Sequence, residues 1–121
     1  MRKEEFYAEV VPDSIGPLEG VKILEATHNY AGPNAGTVLV DMGAESIKVD
    51  MPGLGDLLRH APPFIESRSD LDRGAQHLSI NRNKKNITLN LKSPKGRNIF
   101  LELAKQVDIV IENFKPGTMD K

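Results

Sequence analysis

The chain has 121 residues, 39% hydrophobic and 27% charged, with a formal net charge of −1 at pH 7 and no cysteine. One domain's worth of ordinary composition excludes intrinsic disorder and a disulfide scaffold. The near-neutral charge gives no general field for nucleic acid or an anionic membrane, so neither partner is expected. The missing thiols exclude thiolate metal sites and a cysteine nucleophile within these residues.

Residues 1–17 mix polar and apolar positions, and Pro12, Gly16 and Pro17 punctuate their end. They read as an N-terminal arm. The charged start Met1-Arg2-Lys3-Glu4-Glu5 leads into no apolar core of a signal peptide, and no apolar stretch approaches the length of a membrane span. A cytoplasmic location is the corresponding expectation. Residues 18–121 read as one further unit.

Val21 to Ala26 alternates apolar and polar residues and predicts a first strand. A polar turn, Thr27 to Gly32, follows. Pro33 suits the first turn of a helix, which runs through Ala35, Val38, Leu39 and Met42 to a stop at Gly43. Glu45 to Asp50 predicts a second strand, completing a β-α-β unit whose short connections favour parallel pairing. Residues 51–77, with Pro52, Gly53, Gly55, Pro62, Pro63 and Gly74, read as a long loop or lid. Ile87 to Leu91 alternates strictly and predicts a third strand. Ser93 and Pro94 then provide an N-cap and first helical residue, and Ile99, Phe100, Leu103, Ala104 and Val107 share one helical face. Asp108 to Phe114 predicts a buried last strand, ended by Lys115-Pro116-Gly117. The fold class is α/β, with a mostly parallel, Rossmann-like sheet and flanking helices.

Ligands of open parallel sheets bind beyond the carboxyl ends of the strands. Three segments land there: Thr27 to Pro33, Met51 to Asp56, and Asn113 to Gly117. Gly53-Leu54-Gly55 lacks the third glycine of a dinucleotide fingerprint, and no Gly-Lys-Ser/Thr phosphate loop occurs. The basic run Asn81 to Asn86, with Lys92 beyond it, reads either as a solvated loop or as a polyphosphate clamp. His28 reads either as a hydrogen-bonded structural residue or as a base. His60 and His77 have no second ligand at metal spacing, so no metal is expected. Among the carboxylates near element ends, Asp41, Asp50, Asp56 and Glu112, position alone nominates no nucleophile.

An ordered series of segments resembles the class III coenzyme A transferases, a group that includes formyl-CoA, carnitine and benzylsuccinate CoA-transferases and the related α-methylacyl-CoA racemases. The series comprises Pro17 to Leu24, Ala31-Gly32-Pro33, Asp41 to Val49, Gly53 to Asp56, Asn81 to Gly96 and Asp108 to Gly117. The resemblance implies a Rossmann-like CoA-binding portion of an interlocked-dimer enzyme. Its reaction moves CoA from an acyl-CoA to a carboxylic acid through anhydride and aspartyl-CoA intermediates. It implies that His28, Asn29 and Tyr30 lie beside the thioester, with Tyr30 standing where the family often has a glutamine that holds the acyl or oxyanion group. It places Leu89, Leu91 and Lys92 along the adenine and ribose, Asn113 and Phe114 beside the pantetheine, and Lys121 where the family has a phosphate-binding arginine. Met51 replaces an arginine found on the adenine in some members. The nucleophilic aspartate matches nothing in residues 1–121, so the resemblance puts it outside this chain.

Three readings follow. The chain is a piece of an active CoA-transferase, or of an acyl-CoA racemase. It is a CoA-binding subunit whose partner, in a homodimer or heteromer, carries the aspartate. Or it is a generic Rossmann-like nucleotide-binding domain, which would prefer NAD or ATP to CoA.

Overall fold

The computed structural model describes residues 16–67 and 72–120, so the arm expected over residues 1–17 lies almost wholly outside the described residues. Four strands form one sheet: β1 (Lys22–Ala26), β2 (Glu45–Asp50), β3 (Lys85–Thr88) and β4 (Ile109–Glu112). All three pairings are parallel, and the order is β3-β2-β1-β4. The chain first winds from β1 outward to β3, then returns past β1 to add β4 on its other side. The carboxyl ends of β1 and β4 are therefore the topological switch point, where such sheets open a crevice. Among the described residues, no helix is long and apolar enough to cross a membrane.

Helix α1 (Ala31–Asp41) joins β1 to β2. It starts two residues before Pro33, which is tolerated because the amides of the first turn have no partner inside the helix. Its end is as the sequence predicts: Gly43 adopts φ 104° and donates its N–H to the Val40 carbonyl at 2.9 Å. The positive φ favours glycine, which has no Cβ to clash. The stretch expected as one long loop over 51–77 contains two 3-10 turns, Leu57–His60 and Ile65–Ser67, and helix α2 (Ala75–Ile80) begins inside its span. Asp56 caps the first turn, accepting the Leu58 N–H at 2.9 Å.

The third strand begins and ends earlier than alternation predicts. Leu89 still donates to the Asp50 carbonyl at 3.0 Å, but the chain then turns. The turn forms because Asn90 Oδ1 accepts the Lys92 N–H and the Asn90 carbonyl accepts the Ser93 N–H. Leu89 and Leu91 pack against the core from outside the strand, so the alternating pattern outlasts the ladder. Helix α3 (Pro94–Ala104) starts where expected, with Ser93 Oγ accepting the Gly96 N–H at 3.0 Å. The last strand departs from its prediction as a buried one. Ile109 and Val110 are 39% and 44% exposed, because β4 is an edge strand that pairs only with β1 among the described residues.

Side chains alternate across a strand, and the two faces of this sheet differ in chemistry. One face is apolar: Leu24, Ala26, Val49 and Phe100 are buried, with Leu103, Ala104, Val107 and Phe114 packed on them. The strand residues on the other face are mostly polar: Glu25, Thr27, Ser46, Lys48 and Asp50 are all buried too. Burying so many polar groups is tolerable only where each finds a partner. No buried side-chain nitrogen or oxygen among the described residues lacks one.

Candidate active-site cleft at the switch point

The turn after β1 is fixed from three directions. Asn113, just beyond β4, grips His28 with its amide: its Oδ1 accepts the His28 N–H and its Nδ2 donates to the His28 carbonyl, both at 2.9 Å. Lys48 on β2 donates to the Thr27 carbonyl at 3.2 Å. Asp56 accepts the Asn29 N–H at 3.2 Å. The His28 ring stacks on Phe114 with centroids 5.4 Å apart and planes 27° apart. The two loops flanking the switch point are thus joined by an amide clamp and a ring stack.

Behind this turn lies a buried ionic network. Lys48 Nζ is 2.5 Å from Asp50 and 2.8 Å from Asp56, all three nearly inaccessible. Arg59 lies 3.5 Å from Asp50, and Asn86 donates to it at 3.0 Å. Burial pushes the Asp56 carboxyl up, but the Lys48 bond and charge and the Leu58 and Asn29 amides outweigh it and hold the group below the usual carboxylate range. Next to this network, Glu25 accepts from Ser46 at 2.5 Å, from Thr27 at 3.2 Å and from Lys84 at 2.9 Å. Burial pushes Lys84 below its ordinary value, only partly offset by its bond to Glu25. His77 is also lowered, by burial first and then by the Arg59 charge. Asn81 Nδ2 lies 3.1 Å from its Nδ1, which suits a neutral ring that accepts at that nitrogen.

On the apolar side of the switch point a cleft of about 980 Å³ opens, toward the upper end of the range for small-molecule sites. Of the residues singled out in the sequence, His28, Met51, Leu89, Leu91, Lys92 and Phe114 line it together. Asn29, Tyr30 and Asn113 do not: Asn29 and Asn113 act on the backbone of the turn, and Tyr30 is 55% exposed at the start of α1. Lys121 lies outside the described residues. The basic run Asn81 to Asn86 supplies no lining residue. Arg82 pairs with Asp41, Lys85 with Glu45, and Lys84 is consumed in the interior by Glu25.

Sequence reasoning passed over Arg97, Asn98 and Met119, which also line the cleft, and Leu54 of the Met51–Asp56 segment joins them. A signal for the first two was present. Pro94, Arg97, Asn98 and Leu101 recur at helical spacing and form a stripe beside the core-facing one; all four reach the cleft. The walls are therefore mainly apolar, with Lys92 and Arg97 as cations beside α3. Such a surface suits a long ligand with apolar and anionic parts.

The profile of CoA-transferase family III matches residues 18–121. The chain belongs to that family. Its relatives within CoA-transferase family III include the human succinyl-CoA:glutarate CoA-transferase, 49% identical over 108 residues, covering 88% of this chain and 24% of the relative. The succinyl-CoA:mesaconate CoA-transferase of Haloarcula marismortui is 42% identical over 107 residues, covering 88% of this chain and 27% of the relative. Among solved structures, a CAIB/BAIF family protein from Brucella suis superposes with a TM-score of 0.78 at 38% identity, covering 88% of this chain and 28% of that one. The chain thus spans about a quarter of the length of these family III relatives.

Proposed function

We propose that this chain is the CoA-binding portion of an enzyme that moves CoA from an acyl-CoA to a carboxylic acid. One observation carries the reading: a mainly apolar cleft opens at the switch point of a family III chain, with Lys92 and Arg97 beside α3 and the His28–Phe114 stack among its walls. Apolar walls suit the pantetheine and acyl chain, and the cations suit the phosphates. The acids are short dicarboxylates, in keeping with relatives named for succinyl-CoA, glutarate and mesaconate.

In this scheme the attacking group is an aspartate outside residues 1–121, belonging to the same polypeptide or to a partner chain in a dimer. Its carboxylate attacks the thioester carbonyl, forming a mixed anhydride and releasing CoA thiolate. The thiolate attacks the aspartyl carbonyl of the anhydride, giving aspartyl-CoA and the free donor acid. The acceptor acid repeats the two steps in reverse order, leaves as its CoA ester and restores the aspartate. The residues of this chain hold the CoA while the acyl group changes.

Incubating the full-length polypeptide that carries residues 1–121 with succinyl-CoA and an excess of glutarate tests the reading. Appearance of glutaryl-CoA matched by loss of succinyl-CoA is expected. Hydrolysis alone, or no reaction with any short dicarboxylate or monocarboxylate, contradicts it.

A further inference from the structure

Asp56 lines no part of the cleft, yet it is one of the least accessible side chains of the chain, 1% exposed. Its oxygens divide their work. Oδ2 takes the Lys48 ammonium at 2.8 Å, and Oδ1 takes the N–H of Leu58 at 2.9 Å and of Asn29 at 3.2 Å. Lys48 in turn holds the Thr27 carbonyl at 3.2 Å. Together with the Asn113 clamp on both polar groups of His28, these bonds engage four consecutive backbone groups, from the Thr27 carbonyl to the Asn29 N–H. Asn29 is held at φ 64°, a left-handed conformation that costs any residue with a Cβ and that asparagine tolerates better than most.

A buried ion pair gives little stability over apolar residues of the same volume. It does give fixed distances. We propose that Asp56, through its Oδ1 bonds to the Asn29 and Leu58 amides and with Lys48 as its buried counter-ion, is a positioning residue that sets the backbone of Thr27–Asn29 and thereby holds the His28 ring against Phe114 at the wall of the cleft. The geometry reaches the reaction only through that loop, and the proposal rests on the cleft being the acyl-CoA site. Because the loop follows β1 whereas Lys92 comes after β3, two strands away in the sheet, disturbing it alters turnover more than CoA binding.

The test compares Asp56→Asn, Asp56→Ser and Asp56→Ala in the full-length polypeptide by backbone amide hydrogen exchange and by transferase kinetics. Asn keeps an oxygen acceptor for Asn29 and Leu58 but sets an Nδ2 donor where Oδ2 takes the Lys48 ammonium, so it breaks the bridge and keeps the direct bonds to the loop. Ser keeps a cap for Leu58 but is too short to reach Asn29, and it stands in for Ala should Ala fail to fold. In Ala and Ser, exchange of the His28 and Asn29 amides is expected to quicken at least tenfold while the β1 amides stay as in the parent; in Asn, loop exchange stays within threefold of the parent. Correspondingly, kcat falls at least tenfold in Ala or Ser with the acyl-CoA KM within threefold, and Asn recovers most of it. Unchanged loop exchange, or equal quickening throughout β1, overturns the proposal, as does a kcat equally low in Asn and Ser. A parent protein without transfer activity contradicts the proposed function instead, and the exchange measurement still decides the role of Asp56.

Discussion

His77 is buried against the ionic network, where protonation is disfavoured. Burial and the Arg59 charge lower its pKa below 6.5, and the Asn81 amide opposite Nδ1 suits the neutral ring. A histidine whose folded pKa is depressed adds stability above its unfolded value, and that share is lost as pH falls through the folded value. The melting temperature should therefore decline as pH drops below about 6.5, and His77→Gln should flatten that decline. Thermal melts from pH 7.5 to 5 check this; an unchanged slope in His77→Gln contradicts it. Asp56, also depressed but from 3.8, acts only in the acid window below that value. Lys92 is exposed on the cleft, so its charge is screened. Lys92→Ala should weaken CoA binding by roughly five-fold, about 1 kcal/mol, measured calorimetrically. Residues of this kind were readable from the sequence only through family resemblance. Chain position could not separate Lys92, which reaches the cleft, from Lys84, which a long-range contact with Glu25 draws into the interior.

Elements were more legible than residues because their signals are local. Ser93-Pro94 marked the start of α3 and Gly43 the end of α1, since a cap and a left-handed stop are decided within one turn. What alternation could not reveal is which face is covered. Glu45-Ser46-Ile47-Lys48-Val49-Asp50 looks like a strand with one polar, solvated side, yet Ser46, Lys48 and Asp50 are all buried beneath α1 and the loop after β2. The ends of β3 and β4 were displaced for a similar reason: a side-chain turn at Asn90 and a missing neighbour strand are not periodic features. The turn at Asn90 is tightly packed by α3. A methyl group on Gly96 would lie 2.1 Å from the Asn90 carbonyl oxygen, where backbone has no easy way to yield. Gly96→Ala should therefore destabilise the protein by about 1–3 kcal/mol in urea unfolding, despite alanine's better helix propensity. It should also weaken CoA binding, because Asn90 and Lys92 line the cleft. A variant more stable than the parent would show that the turn moves aside at no cost.

At the scale of the whole chain, the order β3-β2-β1-β4 does most to place the site. Two β-α-β units, each legible by its pattern, leave the sheet order open. That order depends on where each strand of the second unit joins, β3 beside β2 and β4 beside β1 at the opposite edge, and the choice rests on contacts between residues far apart in sequence. Joining β4 to β1 brings Asn113 and Phe114 against His28, 85 positions away for the clamp, and so makes one cleft from loops that the sequence alone could only name separately. The central claim is that this cleft takes CoA. Equilibrium titration of the full-length polypeptide with CoA, NAD and ATP under identical conditions tests it most directly. CoA should bind most tightly, and Lys92→Ala should weaken CoA alone. Binding of NAD or ATP in preference to CoA, or no binding of CoA, would contradict the account.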